Sequence, residues 1–329
     1  MPLNKHRRFM LASLLASLGL ATTMTSSWAQ AFPTKPVRIV IGFPPGGGID
    51  IVARTIAPKL SEALGQPVII DNKPGVAGVL GTNLVAKAPA DGHTIFFGTT
   101  GNISINPAFM PNLPYNMDKD FTPLMLVASL PFLVYAHPSV PAKNLTELVA
   151  YAKANPGKVN FYSSGNGGLP HLTGELLNNV TGIQTVHIAY KGSAPGMNDL
   201  IGGQVQLGYD TVAIGLQHIK TGRLRALATT GPKRLAILPD VPSTSEFASG
   251  LEAVNWYGMV VPAGTPREAI LRLNREITKV LEMPDIKEKL VSQGIDPAAN
   301  SPEEFGEFMK SEAAKWARVI RAANIKPDL

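Results

Sequence analysis

Residues Val37–Leu64, VRIVIGFPPGGGIDIVARTIAPKLSEAL, change their period half-way. Up to Ile41 the β-branched residues Val37, Ile39 and Ile41 alternate, which predicts a strand. From Ile49 the apolar positions widen to Ile49, Val52, Ala53, Ile56, Leu60, Ala63 and Leu64, one face of a helix. Pro58 should kink that helix, and Gly65 with Pro67 should end it. Between the two periods lies Gly42-Phe43-Pro44-Pro45-Gly46-Gly47-Gly48, which can extend neither. A strand, a glycine loop and a helix N-terminus form a place where backbone N–H groups hold an anion. A tight turn without a ligand also uses glycine, but three glycines in a row after two prolines exceed what a turn needs. Asp50 falls in the first helical turn, where a carboxylate opposes the positive dipole end, and Arg54 follows at pairing distance. A P-loop would need Lys and Ser or Thr after the glycines, and Ile51 stands where a dinucleotide fingerprint needs its third glycine. Nucleotide phosphate is therefore not the favoured anion.

Residues 1–31 read as an export leader. Lys5, Arg7 and Arg8 precede an apolar core from Phe9 to about Met24, and small residues at Ala29 and Ala31 suit cleavage before Gln30 or Phe32. The core is too short for a comfortable membrane anchor. Arg7-Arg8 only partly fits a twin-arginine signal, so the general secretory route is expected. The whole chain of 329 residues carries a net +6. Without the three basic residues of the leader it keeps 27 basic and 24 acidic groups, or +3, too mild and dispersed for nucleic acid. It contains no Cys, so an exported fold must rely on its core rather than on disulfides. The remaining length suffices for two packed domains.

Further on, Val68–Ile70 and Thr94–Phe97 read as strands around a helix over 76–87. The order βαβαβ implies a parallel sheet with right-handed crossovers. The loop Gly98–Ser104 leaves the same sheet edge as the first glycine loop, the edge where open α/β sheets gather ligands. Phe121–His137 is apolar but broken by proline, and reads as two extended strands meeting near Pro131, a passage between domains. The βα alternation then restarts: a helix over Leu145–Ala154, strands at Val159–Tyr162, Gln184–Ala189, Val205–Tyr209 and Leu224–Thr229, and helices over Leu172–Asn179 and Pro195–Leu200. Ser163–His171 repeats the pattern of strand, glycine loop and helix. His171 at its end is a capping or packing residue or a ligand contact. Trp256–Val261 brings the chain back, and Thr265 as N-cap with Pro266 at N1 opens amphipathic helices over Pro266–Ala323 that should pack on the first domain.

Catalytic constellations are missing. The chain has no G-x-S-x-G elbow, no H-E-x-x-H and no metal-spaced set among His93, His137, His171, His187 and His218. Asp50 and Asp210 stand near no evident nucleophile.

The chain resembles the substrate-binding proteins of tripartite tricarboxylate transporters, the Bug extracytoplasmic receptors. The matching pieces are Pro36–Val40 leading to Phe43-Pro44-Pro45-Gly46-Gly47, Asp50 and Ala53-Arg54, then Asn72–Gly75, Pro89–Gly92, Ser163-Ser164-Gly165 with Gly167 and His171, His187 with Tyr190–Pro195, and Gly202–Val205. The resemblance implies an α/β, two-lobed periplasmic flytrap of type II, with doubly wound sheets and two crossing strands. It implies a receptor without catalysis, cofactor or metal, in which both glycine loops pinch a carboxylate with ordered waters helping. A small or polar residue is usual at the position of Ile49 in members that take amino acids, so Ile49 weakens that assignment.

The expected lobes are 32–130 with 251–329, and 131–250. The expected ligand is a small mono- or dicarboxylate. Gly46, Gly47 and Gly48, with Ile49 and Asp50, would hold it from one side, and Ser163, Ser164, Gly165, Gly167, Gly168 and His171 from the other. Phe43 and Tyr190 would flank its skeleton, and Thr99 and Asp210 would line the distal end. The expected partners are the membrane subunits of a transporter, met transiently by a monomer in the periplasm. A flytrap that presents its ligand to a membrane sensor, and a hydrolase or lyase on a similar fold, are the alternatives.

Overall fold

The computed structural model describes residues 32–190 and 192–327. The leader over 1–31 lies outside the described residues. Strand β1 (Val37–Ile41) is almost wholly buried and lies between β2 (Val68–Asn72) and β3 (Thr94–Thr99), parallel to both. Helix α1 (Gly48–Leu64) turns Ile49, Val52, Ala53, Ile56, Leu60 and Leu64 onto that sheet. Pro58 interrupts one backbone bond, yet the helix continues through it. It stops at Gly65, whose left-handed backbone (φ 67°) lets its N–H reach the Ser61 carbonyl. Helix α2 (Val79–Ala86) covers the other face, preceded by a 3₁₀ turn at Val76–Gly78.

The predicted pair of strands at Pro131 is one strand, β4 (Phe121–Ala136). Its first part pairs with β9 (Val254–Pro262) as far as Pro131, and from Phe132 it pairs with β7 (Leu207–Thr211) and β8 (Arg225–Thr229). Proline has no N–H to give a ladder, so it is tolerated where the strand exchanges partners. With β5 (Val159–Ser163) and β6 (Thr185–Ala189), the outcome is one ten-stranded sheet with the main order β2-β1-β3-β9-β4-β7-β5-β6, bent into two lobes that share β4. In the second lobe β5 runs parallel to β6 and β7. Helices α3 (Leu145–Ala154), α4 (Leu169–Thr181), α5 (Ser193–Ile201) and α6 (Val212–Lys220) fill the crossovers.

After β9, α7 (Arg267–Glu282) and α8 (Pro284–Val291) bury Ile270, Leu273, Ile277, Val280, Ile286 and Leu290 in the first lobe's core. The cap of α7 differs from expectation by one residue: Pro266 is the N-cap, and the Thr265 hydroxyl instead donates to the Pro262 carbonyl at 2.7 Å. A two-residue strand β10 (Asp296–Pro297) adds to the edge of β4. The last helix, α9 (Pro302–Ala322), departs from the predicted first-lobe packing. Its N-terminal Phe305 packs with Trp256 and Phe96 of the first lobe, whereas Trp316, Val319 and Ile320 enter the second lobe's core. The Trp256 and Trp316 indoles both donate to Glu312 Oε2 at 3.0 Å, so one buried carboxylate joins α9 to β9.

Candidate functional site

The two glycine loops leave the carboxyl ends of β1 and β5 and meet across a cavity of about 560 Å³. That volume lies in the range of small-molecule sites. The first loop presents Phe43, Pro44, Pro45, Gly47, Gly48 and Ile49, and the second presents Ser164, Gly168, Leu169 and Pro170. The floor is made by strand ends: Thr99 of β3 with Gly101 after it, Phe132 of β4, Asp210 and Thr211 of β7, and Asn255 and Tyr257 of β9. No Lys, Arg or His is among these lining residues.

Helices α1 and α4 both begin at the cavity. Their N-caps are Gly47 (φ −76°, ψ 164°) and Gly168 (φ −72°, ψ 163°), and neither helix start has a side-chain cap. First-turn N–H groups have no partner inside their own helix. Two positive helix ends therefore face one space whose walls carry no cation.

Of the residues expected at the site, Phe43, Gly47, Gly48, Ile49, Thr99, Ser164, Gly168 and Asp210 are brought to the cavity wall. Gly46, Asp50, Ser163, Gly165, Gly167, His171 and Tyr190 are not, and each has another task. Gly46 turns the chain with φ 87° and donates its N–H to Asp50 Oδ2 at 2.8 Å. Asp50 is buried behind the loop: Arg54 Nε donates to Oδ2 at 2.8 Å, and Asn72 Nδ2 to Oδ1 at 3.0 Å. Asn72 Nδ2 also donates to the Phe43 carbonyl at 3.0 Å. Burial pushes the Asp50 carboxyl up, but the bonds from Arg54, Gly46 and Asn72 outweigh it and hold it below its ordinary value.

The second loop is tied down in a similar way by different chemistry. Ser163 Oγ lies 2.6 Å from His187 Nε2 and donates to the Gly165 carbonyl at 2.9 Å. Gly167 donates its N–H to His171 Nδ1 at 3.1 Å, and the His171 ring stacks on His187 with centroids 3.5 Å apart. Gly165 (φ 155°) and Gly167 (φ 69°) shape the turn, and a Cβ on Gly167 would run into the Phe109 ring. Tyr190 donates to Asp199 Oδ2 at 2.6 Å and packs edge-on against Tyr162.

Asp210 is the one carboxylate on the cavity wall. Burial raises its pKa against the opposing bonds from Ser193, the Thr211 N–H and Tyr162. The Tyr257 hydroxyl stands so close to Gly48 that a Cβ there would lie 2.7 Å from it, and burial pushes its pKa up to about 12. Asn255 and Tyr257 were missed by sequence reasoning. They are alternate residues of one strand and so share a face, but only the fold shows that this face borders the cleft. The loop predicted after Thr99 is a π-helical turn, Gly101–Ile105. In it Asn102 accepts from Thr99 N–H and Oγ1, and its amide donates to the Ala77 carbonyl at 2.6 Å. Among the described residues no group of three or more His, Asp or Glu could hold a metal.

A sequence model of the tripartite tricarboxylate transporter family receptor, TctC, matches residues 52–325. The chain belongs to this family. A Bordetella pertussis relative, protein BugT, is 34% identical over 314 residues, 95% of each chain. Among solved structures, R. palustris Rpa4515 with adipate shares 34% identity at a TM-score of 0.76, covering 90% of this chain and all of that one. MatC from Rhodopseudomonas palustris with bound malate shares 30% at a TM-score of 0.71, covering 88% and 100%. The two-lobed fold is thus that of the TctC and Bug receptors, a family of periplasmic solute-binding proteins. No helix of the described residues is long and apolar enough to cross a membrane.

Proposed function

We propose that this TctC-family receptor captures a small organic carboxylate between the Gly47–Ile49 and Ser164–Leu169 segments and delivers it, in the periplasm, to the membrane subunits of a tripartite transporter. The observation that carries this is the pair of helix starts without side-chain caps, facing one cavity that no basic side chain lines. One helix N-terminus contributes about 0.3–2 kcal/mol toward an anion. Each charge-assisted hydrogen bond contributes about 1.5–3 kcal/mol more. Micromolar affinity needs about 8 kcal/mol net of an association cost of several kcal/mol. One loop falls short and two reach it, so the ligand favours whichever lobe arrangement brings both loops onto it. The carboxylates held by Rpa4515 and MatC, adipate and malate, support the same ligand class here. The chain acts as a monomer without cofactor and has a cleaved leader in this reading.

Thermal-shift screening of the mature chain against mono- and dicarboxylates should give a stabilising hit that isothermal titration confirms at one site. Deleting the gene should abolish uptake of that acid. Steady turnover of the hit would replace the receptor by an enzyme, and intact uptake in the deletion strain would detach it from transport.

A further inference from the structure

We propose that Asp50 and Arg54 form a charge-balanced brace behind the first glycine loop: Asp50 shapes the loop, and Arg54 cancels its charge so that an anionic ligand can enter beside it. This rests on the reading of the cleft as a carboxylate site.

Asp50 is the third residue of α1, directly after Gly48 and Ile49 on the cavity wall. It holds three parts of the chain at once. Its Oδ2 accepts from the Gly46 N–H, and its Oδ1 accepts from Asn72 at the end of β2. Through Asn72 it also fixes the Phe43 carbonyl at the other end of the loop. A carboxylate suits this task because it can accept from several donors at once. It is a poor neighbour for the proposed ligand. A negative charge in the first turn uses up the favourable potential of the helix start and repels a second carboxylate close by. Burial does not neutralise it, because its donors keep it ionised.

Arg54 answers this from outside the cavity. It lies one turn further along α1, with Nε 2.8 Å from Asp50 Oδ2 and its terminal amino group 2.9 Å from Asn72 Oδ1. Its side chain is half exposed on the far side, while Asp50 is 3% exposed. Arg54 does not line the cavity, so it is a positioning residue rather than a ligand contact. The brace carries no net charge, and the helix start is returned to the ligand.

Shape and charge separate by their response to salt. The wild type, Arg54→Gln, Arg54→Lys and the double variant Asp50→Asn/Arg54→Gln are titrated with adipate, malate and hexanoate at about 10 mM and at about 0.5 M NaCl, where the Debye length falls from about 30 Å to below 8 Å. The tightest acid is carried through the series. Arg54→Gln should weaken binding about three- to tenfold at low salt, and high salt should close most of that gap. Arg54→Lys should recover most of the affinity, since it restores charge without the planar fork. The double variant should bind more weakly at both salts but regain the wild-type salt dependence. Arg54→Gln binding within twofold of wild type at low salt overturns the proposal. So does a loss equal at both salts, which would mark Arg54 as structural only. A wild type that binds none of the three acids, nor any carboxylate of the wider screen, removes the ligand class instead, while the brace geometry stands.

Discussion

At the scale of single residues the cleft divides into positions where a side chain is sterically free and positions where it is not. Gly47 has an extended backbone, and a Cβ there comes no closer than 4.0 Å to any neighbour. Gly47→Val should therefore fold, with a melting midpoint lowered only by the poorer N-cap, worth about 1 kcal/mol or less. Its side chain would enter the ligand space and cost at least about 2.7 kcal/mol of binding, a hundredfold in Kd by titration. Gly167→Ala is the opposite case. Its left-handed backbone and the Phe109 ring 2.3 Å from the added Cβ should destabilise the fold by about 2 kcal/mol or more in urea melts. Asp50 contributes to the acid side of the stability profile. Its folded pKa is depressed, so the stability and loop order it contributes are complete above its ordinary value of 3.8 and are lost as pH falls through the folded value. Asp50→Asn should melt below the wild type at neutral pH, and the gap between the two midpoints should narrow as pH falls below about 4.

At the scale of elements, β4 and α9 decide how the lobes are joined. A strand that crosses from one lobe to the other can bend or twist without losing the ladders on either side, because its two halves pair with different partners. Helix α9 adds a second tie, with Phe305 in one core and Trp316 in the other. Trp316→Ala should cost about 3–5 kcal/mol in chemical unfolding, as large buried aromatic truncations do. Glu312→Leu should leave two indole N–H groups without their acceptor and cost about 2–4 kcal/mol by the same measurement.

For the whole molecule, the cavity wall belongs to both lobes, so ligand binding and lobe arrangement are coupled. A carboxylate at a hundred times its Kd should stabilise the folded chain by about 2.7 kcal/mol. That should appear as a rise of several degrees in the melting midpoint, and small-angle scattering should show a smaller radius of gyration with ligand than without.

What the sequence determined by itself was local. The period change across Gly42–Gly48 marked a strand, a glycine loop and a helix, and Ser163–His171 marked a second copy of that unit, because strand and helix periods are written in neighbouring residues. The absence of nucleotide, metal and nucleophile motifs was equally local. The matched motifs, running in order along the chain, carried the family. What only the tertiary structure decided was which groups share one space. Asn255 and Tyr257 come to the glycine loops through sheet pairing across long stretches of chain, and no periodicity encodes that neighbourhood. Asp50 and His171 stand in the right segments, yet they turn behind their loops to satisfy the N–H groups of Gly46 and Gly167. Gly167 is buried, and a buried backbone donor needs a partner close at hand, which draws His171 behind its loop. Gly46 is exposed, and Asp50 is held behind its loop by three donors together, the Gly46 N–H, Arg54 and Asn72.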